Sequence, residues 1–232
     1  MSARERVQQL ARESYDRGDP IGWFDQVYRS ANGDEGQIPW SALRPRPHLT
    51  RWLDSDHGKD LTERMADSKS PNCNALVVAV GLGDDAEGLA SSGFQVTAFD
   101  ISPTAINWAR QRFPESPVEY AAADLFDPPA AWEESFNFVF ETQTLQALPR
   151  KLRFDAIRRI ASFVAPGGTL LVVTLGRDEQ EEATQLPWPL ARTELSAFRD
   201  CGLIEQSFVD ETDEDGKRWF VVTYQKPKKA SV

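Results

Sequence analysis

Histidine and cysteine are scarce in this 232-residue chain, which holds two of each: His48, His57, Cys73 and Cys201. The cysteines have no metal-ligand spacing, which excludes a zinc knuckle or a disulfide framework; two reduced thiols in a cytoplasmic protein are expected. The acids show no magnesium-binding arrangement, so no metal is expected. No apolar run approaches the roughly 20 residues that cross a bilayer. The start, Met-Ser-Ala-Arg-Glu-Arg-Val-Gln-Gln-Leu, has no apolar signal core, which argues against export and membrane attachment. Basic residues are outnumbered 26 to 36, giving a net charge of −10 that repels a phosphate backbone, so nucleic acid is not an expected partner. The one basic cluster, Lys226-Pro227-Lys228-Lys229, reads as a frayed, solvated tail. There is no internal repeat and no low-complexity segment.

What is there is an ordinary globular composition, 41% apolar, in a chain long enough for a sizeable core. One domain is expected over 1–232: a cap and connector over 1–70, a core over 71–226 and a tail over 227–232. Residues 3–17 predict an amphipathic helix with Val7, Leu10, Ala11 and Tyr15 on one side. Residues 18–53 are rich in Trp, Pro and Gly and need something to pack on. Residues 54–72 are polar and read as a connector with room for a short helix.

From residue 75 strands and helices alternate. Strands fit 75–80, 95–99, 117–121, 136–140 and 168–175; helices fit 84–92, 102–113 and 150–164. Ser102-Pro103 is a helix start, with Ser as cap and Pro in the first turn. Leu152, Ala156, Ile157, Ile160, Phe163 and Val164 share one helix face, and Pro166-Gly167-Gly168 is expected to end that helix before the next strand. Such alternation predicts a parallel sheet with helices on both faces. After a helix near 192–201, strands over 203–210 and 219–225 are joined by the turn 211–216 and must be antiparallel.

The chemistry starts at Gly81-Leu82-Gly83, with Ala86 in the third-glycine place, directly after the apolar run Ala75–Val80. Such a turn lets backbone approach a ligand, and alone it is a weak signal that a plain strand-to-helix turn also gives. Asp100 ends the second strand 17 residues beyond Gly83, where an acid can take both ribose hydroxyls. Asp124-Leu125 follows the third strand.

With these segments the chain resembles the class I S-adenosylmethionine-dependent methyltransferases over roughly residues 70–225. The fold this implies is a Rossmann-like seven-stranded α/β sheet with a terminal antiparallel hairpin beside the fifth strand, helices on both faces and an N-terminal helical cap. It is similar in particular to the thiopurine S-methyltransferase superfamily, which includes thiol and halide methyltransferases. That narrower resemblance rests on Gly22-Trp23-Phe24-Asp25-Gln26-Val27-Tyr28, Ile38-Pro39-Trp40, Arg44-Pro45-Arg46-Pro47-His48-Leu49 and Glu141-Thr142-Gln143-Thr144-Leu145-Gln146-Ala147-Leu148-Pro149. The chain departs from the general acid-x-Gly-x-Gly-x-Gly motif at Val77 and Ala79. Asp127-Pro128-Pro129-Ala130 precedes the fourth strand, so it is not the Asp-Pro-Pro-Tyr of nucleic-acid amino-methyltransferases.

The resemblance implies S-adenosylmethionine as cofactor, with S-adenosylhomocysteine as product, bound by Trp40, Ala79, Gly81, Gly83, Asp85, Asp100, Ile101, Ala105, Asp124, Leu125, Glu141 and Thr142. Asp124 would face the adenine amino group and Leu125 the ring. Carbonyls of Ala79 and Gly81, with Asp85 or Glu141, are candidates for the methionine ammonium. Trp23, Trp40, Gln146 and Trp188 are the expected walls of a small-molecule acceptor pocket. A thiol, with a pKa near 8.5, needs little activation, whereas a hydroxyl needs a base. Glu141 and His48 are the candidate bases; His57 reads as solvated. The expected reaction is in-line methyl transfer to a thiol or a related sulfur, selenium or tellurium compound. The alternatives are an O- or N-methyltransferase of a small metabolite, a non-catalytic cofactor-binding module and, last, a nicotinamide oxidoreductase. Oligomeric state leaves no mark in the sequence.

Overall fold

The computed structural model describes residues 1–67 and 74–229. Helix α1, Ala3–Asp16, opens with a capping box in which Ser2 and Glu5 satisfy each other's backbone N–H, and it buries Val7, Ala11 and Ser14. Helix α2, Trp23–Ala31, stops at Asn32, whose φ of 48° is left-handed. Helix α3, Pro47–Leu53, carries proline in its first turn, and α4 spans Asp56–Asp67. The alternating part then runs β1 (Asn74–Val78), α5 (Asp84–Ser91), β2 (Gln95–Asp100), α6 (Pro103–Arg112), β3 (Glu119–Ala122), β4 (Phe136–Thr142), α7 (Arg150–Phe163) and β5 (Val164–Arg177). It closes with β6 (Leu190–Ala191), α8 (Arg192–Leu195), α9 (Ala197–Asp200), β7 (Ile204–Thr212) and β8 (Arg218–Gln225).

The sheet order is β3-β2-β1-β4-β5-β8-β7, with two-residue β6 beside the end of β5. The first five strands are parallel, and β8 inserts antiparallel between β5 and β7. The expected hairpin therefore lies beside the fifth strand.

Alternation along the strands builds a core on each face. Leu76, Val139, Leu170 and Val172 pack with Ile160 and Phe163 of α7. Val77, Phe138, Leu171 and Val173 pack on the other face with Leu49 and Trp52 of α3 and Leu89 of α5. A third cluster joins the cap to the sheet half: Val7, Ala11, Trp23, Val27 and Tyr28 close over Leu82 and Ala105. Asp25 of α2 fixes that junction, accepting from Ser102 Oγ at 2.7 Å and Thr104 N–H at 3.2 Å. Ser102 in turn caps α6 through Ala105 N–H at 3.0 Å, as expected.

Four expectations are corrected. Pro166-Gly167-Gly168 does not separate helix from strand. β5 begins at Val164, and the three residues form an irregularity inside it, Phe136 pairing Val164 and Phe138 pairing Thr169. The glycines are required there: Gly167 has φ +81°, and a Cβ on Gly168 would lie 2.8 Å from Ala165 O. The connector is largely the helix α4. The helix near 192–201 is two single turns, α8 and α9. Ser196 sits between them with its hydroxyl donating to Thr193 O at 2.6 Å, a local bond that competes with a continuous helix. The basic tail is not frayed up to residue 229: Lys226 and Lys229 pair with Glu134 at 3.0 and 2.9 Å. Cys73 lies outside the described residues, and Cys201 is a half-buried free thiol. Among the described residues no helix is long and apolar enough to cross a membrane, and no group of three or more His, Cys, Asp or Glu is placed to hold a metal.

Candidate active site

A cavity of about 560 Å³ opens at the C-terminal ends of the parallel strands, lined there by Val78, Asp100, Thr142 and Leu175 and roofed by the cap. Ligands of open α/β sheets bind at this edge. The chain leaves β1 through Ala79 (φ 50°), Gly81 (φ 60°) and Gly83 (φ 97°) before α5 begins. Ala79, Gly81, Asp85, Asp100, Ile101, Asp124, Leu125, Thr142, Gln146, Trp23 and Trp40 all line the cavity.

Asp100 is held by two backbone N–H groups. Its Oδ2 accepts from Gly81 N–H at 3.0 Å and its Oδ1 from Ser102 N–H at 2.9 Å. Each oxygen keeps a further acceptor position. Burial pushes its carboxyl up to about 6, against the pull of those N–H groups. Asp124 fixes its own loop by accepting from Phe126 N–H at 2.8 Å. Gln146 is anchored by Leu175 N–H and Thr174 Oγ1, at 2.6 and 3.1 Å from its Oε1.

Five expected residues lie elsewhere. Gly83 stands behind the wall: a Cβ there would sit 2.6 Å from Tyr120 Oη, so this glycine serves helix-to-strand packing. Ala105 is buried beneath the cap as part of its apolar cluster. Glu141 is fully buried, its Oε1 accepting from Thr144 and Leu145 N–H at 2.8 and 3.1 Å, so it holds the turn after β4 and does not reach the cavity. Burial pushes its carboxyl up to about 7. His48 turns to the hairpin, with Nε2 3.2 Å from Glu211 and its ring 4.9 Å from that of Trp219; burial lowers its pKa. Trp188 lies against Tyr15 at 5.9 Å, while its neighbours Leu186 and Pro187 line the cavity. Its main chain is tied down by Gln146 O and by Arg153.

Asp85 does line the cavity, but its charge is taken. Arg46 N–H donates to its Oδ1 at 2.7 Å, and Arg46 Nε stands 3.5 Å from its Oδ2. Burial raises the Asp85 carboxyl and lowers the Arg46 guanidinium, and their attraction opposes both shifts. Arg46 also donates to Trp40 O at 2.9 Å. Trp40 Nε1 donates to Tyr28 Oη at 2.8 Å. Arg46 and Tyr28 are cavity residues that sequence reasoning missed. Tyr28 shares the buried helix face of Trp23 and Val27, and Arg46 lies two residues before the histidine chosen instead. Trp219, from β8, completes the wall.

Residues 75–168 match the family described as "Methyltransferase domain", a stretch running from β1 into β5. A ubiquinone biosynthesis O-methyltransferase from Xanthomonas campestris pv. campestris is 37% identical over 46% of this chain and 45% of its own length. The aligned stretch thus spans under half of that relative. A probable thiol methyltransferase 2 from Arabidopsis thaliana is 26% identical over 63% of this chain and 61% of its own. Among solved structures, the 1,6-didemethyltoxoflavin-N1-methyltransferase of Burkholderia thailandensis, with bound 1,6-didemethyltoxoflavin and S-adenosylhomocysteine, superposes with TM-score 0.64. It is 16% identical, over 98% of this chain and 92% of that one. The fold is the Rossmann-like α/β fold of S-adenosylmethionine-dependent methyltransferases.

Proposed function

We propose that this protein is an S-adenosylmethionine-dependent methyltransferase of a small molecule, with a thiol or related soft nucleophile as its acceptor. The observation that carries the reading is the placing of Gly81, Asp100 and Asp124, from three successive strand ends, on one cavity. The residues fit the cofactor. Asp100 keeps acceptor positions that could take two ribose hydroxyls, and Asp124 and Leu125, on the same wall, would flank the adenine. Thr142 Oγ1 and Gln143 Oε1 are buried polar atoms of the wall with no partner, which a ligand's ammonium would satisfy. Arg46 is a mostly buried cation that would hold a methionine carboxylate, and Asp85 balances it.

S-adenosylmethionine, when bound, supplies a methyl group already activated as a sulfonium. The chain's part is to orient and to exclude water. Trp23, Trp40, Leu186 and Trp219 give the acceptor an apolar enclosure, and such positioning is worth several kcal/mol, up to about 7–11 in favourable cases. Neither Glu141 nor His48 lines that enclosure, which suits a nucleophile that ionises by itself near neutral pH. The second reading, an O-methyltransferase, is favoured by the 37% identity to the Xanthomonas relative.

Transfer of labelled methyl to a panel of aromatic and aliphatic thiols, sulfide, iodide, phenols and amines separates the two. Label on thiol or sulfide, with a rate that follows the acceptor's own pKa, supports the first. Label only on phenols supports the second. A protein that binds no S-adenosylhomocysteine is neither.

A further inference from the structure

In a chain of net charge −10, four cations reach the wall of one cavity: Arg4, Arg44, Arg46 and Lys217. The four aspartates that share it are all engaged. Arg112 takes both oxygens of Asp84 at 3.0 and 2.9 Å, Arg46 takes Asp85, and backbone N–H groups take Asp100 and Asp124. Two of the cations are engaged too, Arg46 by Asp85 and Trp40 O, and Lys217 by Asp215 at 3.1 Å. Arg4 and Arg44 remain. Among the described residues no hydrogen bond or ion pair engages either guanidinium.

Their positions are built by the cap. Arg4, Val7 and Gln8 fall on one face of α1, at spacings of three and four residues, and all three line the cavity. Gln8 Nε2 donates to Leu186 O at 3.3 Å, which ties this face to the loop before β6. Arg44 lies on the segment that also brings Trp40, Ser41 and Ala42 to the wall. Both arginines are exposed at the outer wall, whereas Arg46 is mostly buried against Asp85 in the first turn of α5. On the proposed reading the inner cation would serve the cofactor, which leaves the outer pair for the acceptor.

We infer that Arg4 and Arg44 recognise a carboxylate carried by the methyl acceptor, so that the substrate class is an apolar or aromatic nucleophile bearing an acid group. The inference rests on the proposed methyltransferase reading. A guanidinium presents a planar fork of donors matched to a carboxylate. An anion is repelled by most of this protein's surface, and the two unpaired arginines on this wall offset that locally. Because both are exposed, the recognition is salt-sensitive.

The test is calorimetric binding of 4-mercaptobenzoate and of its methyl ester to the protein saturated with S-adenosylhomocysteine, for the wild type and the R4Q/R44Q variant. The acid is expected to bind the wild type about tenfold more tightly than the ester, with the advantage shrinking at high salt. In R4Q/R44Q the advantage falls below about threefold, while affinity for S-adenosylhomocysteine is unchanged. An ester that binds as tightly as the acid, or failure of both to bind the loaded protein, overturns this inference alone. Failure of the wild type to bind S-adenosylhomocysteine overturns the reading beneath it.

Discussion

The cavity wall formed by the ends of β1, β2 and β3 and the wall formed by the cap are held in place by different bonds. Asp100 and Asp124 are fixed by backbone N–H groups, from Gly81, Ser102 and Phe126. Trp40, Arg46 and Tyr28 are held largely by side chains reaching between segments: Trp40 on Tyr28, Arg46 on Asp85, Asp25 on Ser102. A backbone-held wall depends on few residue identities, and a side-chain-held wall depends on each partner. The methyltransferase-domain match over 75–168 covers the first wall and none of the cap. On the proposed reading the sheet wall would hold the ribose and adenine of the cofactor, and the cap would add Arg46 at the methionine end and the walls of the acceptor pocket.

The comparison breaks most readily at Arg46. R46M leaves the buried Asp85 carboxylate without its counter-charge, only the main-chain N–H of residue 46 remaining, with an expected loss of about 3–5 kcal/mol in urea unfolding, largely recovered in R46M/D85N. A loss below about 1 kcal/mol would mean that the cap does not depend on this pair. On the sheet side, G83A adds a Cβ 2.6 Å from Tyr120 Oη at φ +97°. It should cost about 2–4 kcal/mol through overlap and backbone strain, although Gly83 does not touch the cavity.

Glu141 gives a pH-dependent test. Its native carboxyl lies near 7 against an ordinary value of 4.5, raised by burial and opposed by the N–H groups of Leu145 and Thr144. The native state therefore holds a proton that the unfolded chain releases. That contribution is fully present below 4.5 and is lost as pH rises to about 7. E141Q should remove about 2 kcal/mol of the stability decline across that window, as read from unfolding at pH 5 and pH 8. The smallest effect is expected for Y28F, which deprives Trp40 Nε1 of its acceptor for about 1 kcal/mol and weakens the cap alone.

The sheet wall was legible in the sequence because its signals are local. A glycine turn after an apolar run, an acid at a strand end and a Ser-Pro helix start each act within a few residues. The same locality misled at Pro166-Gly167-Gly168, where the register with β4 and the pairing of Gly167 and Gly168 with Lys226 decide the outcome. It misled again at Gly83, whose need for glycine comes from Tyr120, a residue 37 positions away. Trp23 and Trp40 were recognisable as wall residues from the aromatic cap. Trp188 looked equivalent, but Arg153 and Gln146 tie its main chain and its ring lies on Tyr15. Arg46 was missed because its meaning depends on Asp85, which packing alone brings near. Glu141 and His48 were read as bases by residue type; what they do is set by the N–H groups and the Glu211 carboxylate they meet.

The most direct test of the account is calorimetric titration of S-adenosylhomocysteine into the wild type and D100A. The account predicts one site per chain in the wild type, binding about a hundredfold weaker in D100A, and no heat from NAD. No binding to the wild type, or equal binding to D100A, would contradict it.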